Sequence, residues 1–262
     1  MRNLSDYILG NRIDGHIHLF NHKESLNNPY LYPYNQRIGF MDLEFDYDND
    51  NIDVIGSYKR YIENDYNGKD ILLATGTNID DIRYLLNEYP TPIKGIGELK
   101  CYDKYMDKPL PYKDISFVEG CCELAKDYKC PIYIHWELNN DKYINQLKNL
   151  LSKYPNQKIV LCHCGFGHDL DKKIFNEVLG MMLEFNNLWV DISYTALEFF
   201  NWNINKLQLL DKSRIILGTD FNNKLFGPNH DPEKETGNII TKLKKLSKYI
   251  DSDANIKRLF DI

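Results

Sequence analysis

The chain has little of what would carry a protein across or into a membrane. No apolar stretch approaches the ~20 residues needed to span a bilayer. The opening Met1-Arg-Asn-Leu-Ser-Asp-Tyr7 lacks the apolar run of a secretory signal. Cys-x-x-Cys spacing is missing as well. The six cysteines, Cys101, Cys121, Cys122, Cys130, Cys162 and Cys164, are scattered, and a chain of 262 residues needs no disulfide staples. A basic excess is also absent. The net charge is −6, which argues against a sequence-independent grip on nucleic acid. Together these absences predict a reduced, cytoplasmic protein with a small-molecule substrate and neither membrane nor nucleic-acid partners. They leave the oligomeric state open.

What is present is enough for a sizeable core: 43% hydrophobic residues with 13% aromatics. The most informative stretch is Ile13-Asp14-Gly15-His16-Ile17-His18-Leu19-Phe20. In a strand, a period of two puts His16 and His18 on one face with Asp14 behind them. Two imidazoles so placed can bind one metal ion together, because neutral imidazole nitrogen suits zinc and similar ions. The motif alone is a weak signal, so its weight depends on the rest of the chain.

Short β-branched or apolar runs recur at 71–77, 93–99, 131–136, 158–163, 188–193 and 214–219. Each has the length of a buried strand. Segments with helical periodicity separate them. In the last long one, Ile239, Leu243, Leu246 and Ile250 form an apolar stripe flanked by Lys242, Lys244, Lys245 and Lys248, which reads as a solvated helix face. Alternating strands and helices imply a parallel sheet. With the first strand the count reaches seven, and 38–45 is a candidate eighth. The expectation is an α/β fold, a (β/α) TIM-type barrel of eight strands or a distorted one of seven. No linker or repeat divides it, so residues 1–262 are read as one domain. Residues 21–50 are expected to form a long loop over the C-terminal mouth, where such barrels carry their active sites. Asp46-x-Asp48-x-Asp50 within it is not a calcium loop, since Asn51 and Ser57 stand where Gly and a bidentate Glu are required.

Placed on this strand map, the ligand-type residues fall in register. His16 and His18 end the first strand, Glu98 ends the strand from 93, and His135 and His163 close the next two. Asp220 follows the strand at 214–219. Any one of these has an ordinary explanation. A strand-terminal His is commonly a satisfied polar residue, and an Asp after a strand commonly caps a helix. Five strands each delivering a metal-ligand side chain to the same edge favour a metal site.

These residues carry a family resemblance. Asp14-Gly-His16-Ile-His18, Gly97-Glu98, Ile134-His135, His163-Cys-Gly165 and Gly218-Thr-Asp220 resemble the metal-dependent amidohydrolase superfamily, both its TatD-like hydrolases and the amidohydrolase-related group that includes decarboxylases. Asn255-Ile-Lys-Arg-Leu-Phe260 is similar to the tail of the second group. The resemblance implies that His16, His18 and Asp220 hold one divalent ion, with zinc expected. It implies a bridging role for Glu98 and a second ion on His135 and His163. In single-metal relatives His135 completes the first site and His163 contacts substrate. Lys100, on the strand face of Glu98, is the alternative bridge. Cys162 and Cys164, read in a strand, point away from His163 as packed small apolar residues.

A metal-activated water would be the attacking group. Asp220 is expected to orient it and move its proton, with His163 stabilising the developing oxyanion. Asp14 is a candidate partner for a histidine ring N–H, and Asp191 for orienting a neighbour of the site. Trp136, Glu137, Ser193, Tyr194 and His230 are further mouth residues, outside the catalytic set. The first functional reading is hydrolysis of an amide, ester or lactone in a small molecule. Non-oxidative decarboxylation comes next, with Lys100, Lys104 and Lys224 as the possible carboxylate anchors. TatD-like phosphodiester cleavage follows, and a non-catalytic binding barrel is the least favoured.

Overall fold

A computed structural model describes residues 12–19, 36–41, 54–76, 78–101, 104–105, 108–109, 115–167, 170–220 and 232–262. Eight strands form one sheet in chain order: β1 (Ile13–Leu19), β2 (Gln36–Met41), β3 (Ile71–Ala74), β4 (Ile93–Lys100), β5 (Ile132–His135), β6 (Ile159–Leu161), β7 (Leu188–Ile192) and β8 (Ile215–Leu217). Every neighbouring pair is parallel. The eight-strand expectation therefore holds and the seven-strand alternative falls, although β2 begins and ends earlier than 38–45.

The ladder nearly closes on itself between β8 and β1. There the Asp220 N–H donates to the His16 carbonyl at 2.9 Å. Asp14 accepts from the Thr219 N–H at 2.9 Å and from its hydroxyl at 2.7 Å. Gly218 permits this approach, because a Cβ on it would meet the His16 Cβ at 2.5 Å and the His16 nitrogen at 2.6 Å. The result is a (β/α) barrel of the TIM type.

Around it lie helices α1 (Val54–Asn64), α2 (Ile79–Glu88), α3 (Ile115–Tyr128), α4 (Asp141–Lys153), α5 (Lys172–Glu184), α6 (Tyr194–Trp202), α7 (Pro232–Leu246) and α8 (Ser252–Phe260), with three short 3-10 turns among the described residues and a small antiparallel pair of Lys104–Tyr105 and Lys108–Pro109. Polar side chains fix where several start. Asn78, Asn140 and Asp251 each accept a first-turn N–H, satisfying donors that a helix leaves open. On α4, Tyr143, Ile144, Leu147, Leu150 and Leu151 are buried, the stripe that a 3.6-residue period lays against a sheet. No described helix is long and apolar enough to cross a membrane. The lysine face is solvated as expected at Lys244, Lys245 and, beyond the end of α7, Lys248; Lys245 also reaches the Asn201 carbonyl on α6, and only half-buried Lys242, paired with Glu198, departs from it.

Alternation along the strands makes two cores. Leu72, Val190, Ile192 and Leu217 pack outward under the helices. Ile13, Ile38, Leu73, Tyr133, Val160, Cys162, Trp189 and Ile216 form an inner cluster with Ile256, Leu259 and Phe260 of α8. Helix α8 thus plugs the N-terminal end of the barrel, with Phe260 stacked on Tyr133 at 6.4 Å. Lys158 holds the plug by donating to the carbonyls of Arg258 and Leu259, and Asn255 by donating to those of Lys212 and Ile215. The plugged floor leaves the opposite end as the mouth.

Candidate metal centre

The six expected ligand side chains meet at that mouth. His16 is fully buried on β1, and its Nε2 lies 3.1 Å from Asp220 Oδ1. The same Oδ1 lies 3.0 Å from His18 Nε2. On the other side of the cluster, Glu98 Oε1 lies 2.9 Å from His135 Nδ1 and 3.5 Å from His163 Nε2. Glu98 also sits 4.0 Å from His16 Nε2 and 3.9 Å from His18 Nε2, so one carboxylate faces all four histidines. Three trios of ligand atoms, His16/His18/Asp220, Glu98/His135/His163 and His16/His163/Asp191, are each mutually within 4.8 Å, the spacing that one ion can span. Of the alternatives for the central position, Glu98 occupies it. Lys100 is half-buried, opposite His135 in register, and its charge acts on His135 from the rim.

Local backbone sets these positions. Gly97 has φ 136°, and a Cβ there would meet the Tyr133 carbonyl oxygen at 2.6 Å. A side chain at 97 would therefore keep β4 from closing on β5 and displace Glu98. His163 departs from expectation. Its strand ends at Leu161, and Cys162–Gly165 is a 3-10 turn in which His163 and Cys164 take left-handed backbone (φ 53° and 54°). Asp220 and Tyr194 are left-handed too, at φ 57° and 46°. Such conformations cost about 1–3 kcal/mol each and gather at functional sites. The turn also corrects the reading of the cysteine pair. Both are buried, as expected, but they do not share a strand face: Cys162 joins the inner cluster and Cys164 the outer core.

Asp14 is corrected as well. Its hydrogen bonds among the described residues run to Thr219 and to backbone rather than to a ring N–H. Its carboxylate takes the His16 backbone N–H at 3.2 Å and both donors of Thr219, and burial pushes its pKa up to about 6. The ring partner of His16 is Asp191, whose Oδ2 lies 2.6 Å from Nδ1. Ser193, expected to face substrate, is fully buried. Its hydroxyl donates to Asp191 Oδ1 and lies 2.9 Å from His163 Nδ1. Tyr194 does face the mouth, 38% exposed, with its ring 6.0 Å from that of His163. Trp136 is buried against Tyr143, a packing residue, and Glu137 is half-buried beside Gly167. His22, His168, His230, Lys224, most of the loop 21–50 and the side chain of Lys104 lie outside the described residues. Thr219, which ties Asp14 across the seam, was not anticipated. Its partner is 205 positions away in sequence, and no local signal announces the pairing.

The electrostatics fit a cation. Burial would raise the pKa of Glu98 and of Asp220, yet the histidines around them hold both below the usual carboxylate range. Burial would likewise depress His16, but Asp191 and Asp220 push it well up. Opposed by burial, Asp220 and Glu98 raise His163 in the same way. For His135, nearer the rim, burial wins and its pKa falls. Three carboxylates crowded into a buried pocket require positive charge, which histidine protons or a metal ion can supply. Buried Glu98 Oε2 accepts no hydrogen bond among the described residues. Imidazole and carboxylate donors at this spacing suit zinc and related divalent ions.

A model of the amidohydrolase family matches residues 105–259, more than half of the chain. No curated protein sequence matches. Among solved structures, an amidohydrolase from Burkholderia multivorans with bound zinc aligns with a TM-score of 0.63 at 10% identity, covering 97% of this chain and 100% of that one. A putative 2-pyrone-4,6-dicarboxylic acid hydrolase from Pseudomonas putida aligns at 0.60 and 14% identity, covering 95% and 97%. A dihydroorotase from Campylobacter jejuni aligns at 0.55 and 15%, covering 96% and 83%. With the barrel, its six converging side chains and the family match in hand, the chain belongs to the amidohydrolase family and is an enzyme of the amidohydrolase superfamily.

Proposed function

We propose that the protein, acting as one barrel domain, is a metal-dependent hydrolase of an amide, ester or lactone in a small molecule, using two divalent ions, zinc foremost. The observation that carries this reading is the place of Glu98, a single carboxylate facing four imidazoles at the centre of the cluster. His16, His18 and Asp220 would hold one ion, His135 and His163 the other, and Glu98 would lie between them. A divalent ion bound there supplies a positive charge that acidifies water and polarises a substrate oxygen.

The protein's own residues do the rest. Asp220 accepts the proton of the attacking water and returns it to the leaving group. Burial of the cluster keeps bulk solvent from competing for these contacts. Tyr194 forms an exposed wall beside His163 against which a substrate packs. If one ion suffices, His163 Nε2 is left to stabilise the developing oxyanion.

Hydrolases among the structural neighbours support the reaction class, and the net charge of −6 supports a small molecule over nucleic acid. Six buried cysteines without a disulfide support a reducing, cytoplasmic setting. Decarboxylation is the second reading, favoured by Lys100 at the rim beside His135, where it could hold a substrate carboxylate. The test is metal analysis of the purified protein together with a panel of amides, esters, lactones, phosphodiesters and aromatic acids. Two ions per chain with turnover of an amide, ester or lactone is the expected result. One ion with release of carbon dioxide from an acid would replace the first reading by the second.

A further inference from the structure

Asp191 has a place that the proposed chemistry does not use. One of its oxygens, Oδ2, lies 2.6 Å from His16 Nδ1. The other, Oδ1, takes the Ser193 hydroxyl, and that hydroxyl lies 2.9 Å from His163 Nδ1. Asp191 and Ser193 are both fully buried, so water does not substitute for these contacts.

Proton counting fixes the direction of each bond. An ionised carboxylate only accepts, so the single Ser193 proton points to Asp191. Ser193 Oγ is then an acceptor toward the site, and His163 must carry its proton on Nδ1. His16 likewise donates from Nδ1 to Asp191. In the neutral imidazoles that a metal ion requires, both rings are then left with bare Nε2 atoms, and these are the atoms that face Asp220 and Glu98. His16 belongs to the trio with His18 and Asp220 and His163 to the trio with Glu98 and His135, and the two meet in a third trio with Asp191 itself. His135, by contrast, turns Nδ1 to Glu98, and His18 turns Nε2 to Asp220.

We infer that Asp191 is a positioning residue shared by both halves of the centre, setting the tautomer of His16 directly and that of His163 through Ser193. The inference rests on the proposed two-ion centre. It divides the labour unequally. Ser193 serves only the Glu98/His135/His163 trio, whereas Asp191 serves both. Partners of this kind change metal affinity by roughly 10- to 100-fold when removed.

The test titrates metal-free protein with zinc, and with cobalt for its absorption bands, while thermal unfolding without metal reports folding. Wild type should bind two ions in two resolvable steps. Ser193→Ala should weaken one step by roughly 10- to 100-fold and leave the other unchanged. Asp191→Asn, which sets an amide N–H2 against donors, should weaken both. Histidine-labelled, zinc-loaded wild type supplies a readout that does not depend on variants folding: by nitrogen NMR, His16 and His163 should each carry the proton on Nδ1. Either ring protonated on Nε2 overturns the inference, as does an Asp191→Asn protein that binds both ions normally or loses only one. Those results leave the two-ion reading intact. A wild type that takes up one ion or none overturns both.

Discussion

Each end of the barrel buries charge, and the two do so for different ends. At the floor, Arg37 on β2 meets Asp70 just before β3. Its Nε and Nη2 both bond the carboxylate, the closest contact being 2.6 Å, and the Tyr61 hydroxyl adds a third donor at 3.1 Å. That pair is geometrically complete. At the mouth, Asp220, Glu98 and Asp191 are crowded by histidines whose protonation must compensate them, and Glu98 Oε2 receives no donor among the described residues. Four described residues at this end, His163, Cys164, Tyr194 and Asp220, also have left-handed backbone, against Lys129 and the helix cap Asp261 at the other. A buried pair that satisfies itself holds a fold together, whereas a buried cluster left short of positive charge is arranged for something that arrives later. The division agrees with the general rule for these barrels, in which one face serves stability and the other chemistry.

Substitutions at the two ends should therefore separate cleanly. Asp220→Asn should lower kcat by roughly a thousandfold, with the thermal unfolding curve still cooperative; turnover within tenfold of wild type would remove Asp220 from the proton path. Asp70→Ala should do the reverse. It strands the Arg37 charge and should cost about 3 kcal/mol in denaturant unfolding, while metal content per folded chain stays unchanged. Loss of metal from that folded variant would break the comparison. Gly218→Ala lies on the seam between the ends. Its Cβ would press on His16, so a smaller loss of about 1–2 kcal/mol should come with weaker zinc binding, read by titration. Asn140→Ala removes only the α4 cap and should cost about 1 kcal/mol, with kcat and metal content untouched.

Much of this was legible in the sequence, and the reason is local periodicity. Apolar runs such as Ile159–Leu161 mark strands, and a ligand-type residue directly after each run falls at the mouth. That is why His16, His18, Glu98, His135, His163 and Asp220 are legible together from the sequence alone. What stayed hidden depends on contacts between distant residues or on backbone that no pattern encodes. The turn at His163 needs left-handed φ at two non-glycine residues. Asp14 and Asp191 exchange their expected importance because a shift of register in β1 between Asp14 and Ile17 turns the first toward the seam. His16 then meets Asp191, 175 positions away. Asn255, Arg258, Leu259 and Phe260 were visible as a tail motif, yet only the packing shows that they close the floor.

The measurement closest to the central claim is anomalous diffraction at the zinc edge from zinc-loaded crystals. Two peaks are expected at the mouth, one among His16, His18 and Asp220 and one between His135 and His163, with Glu98 in contact with both. A map with no peak there, or with zinc bound away from these six side chains, would contradict the account.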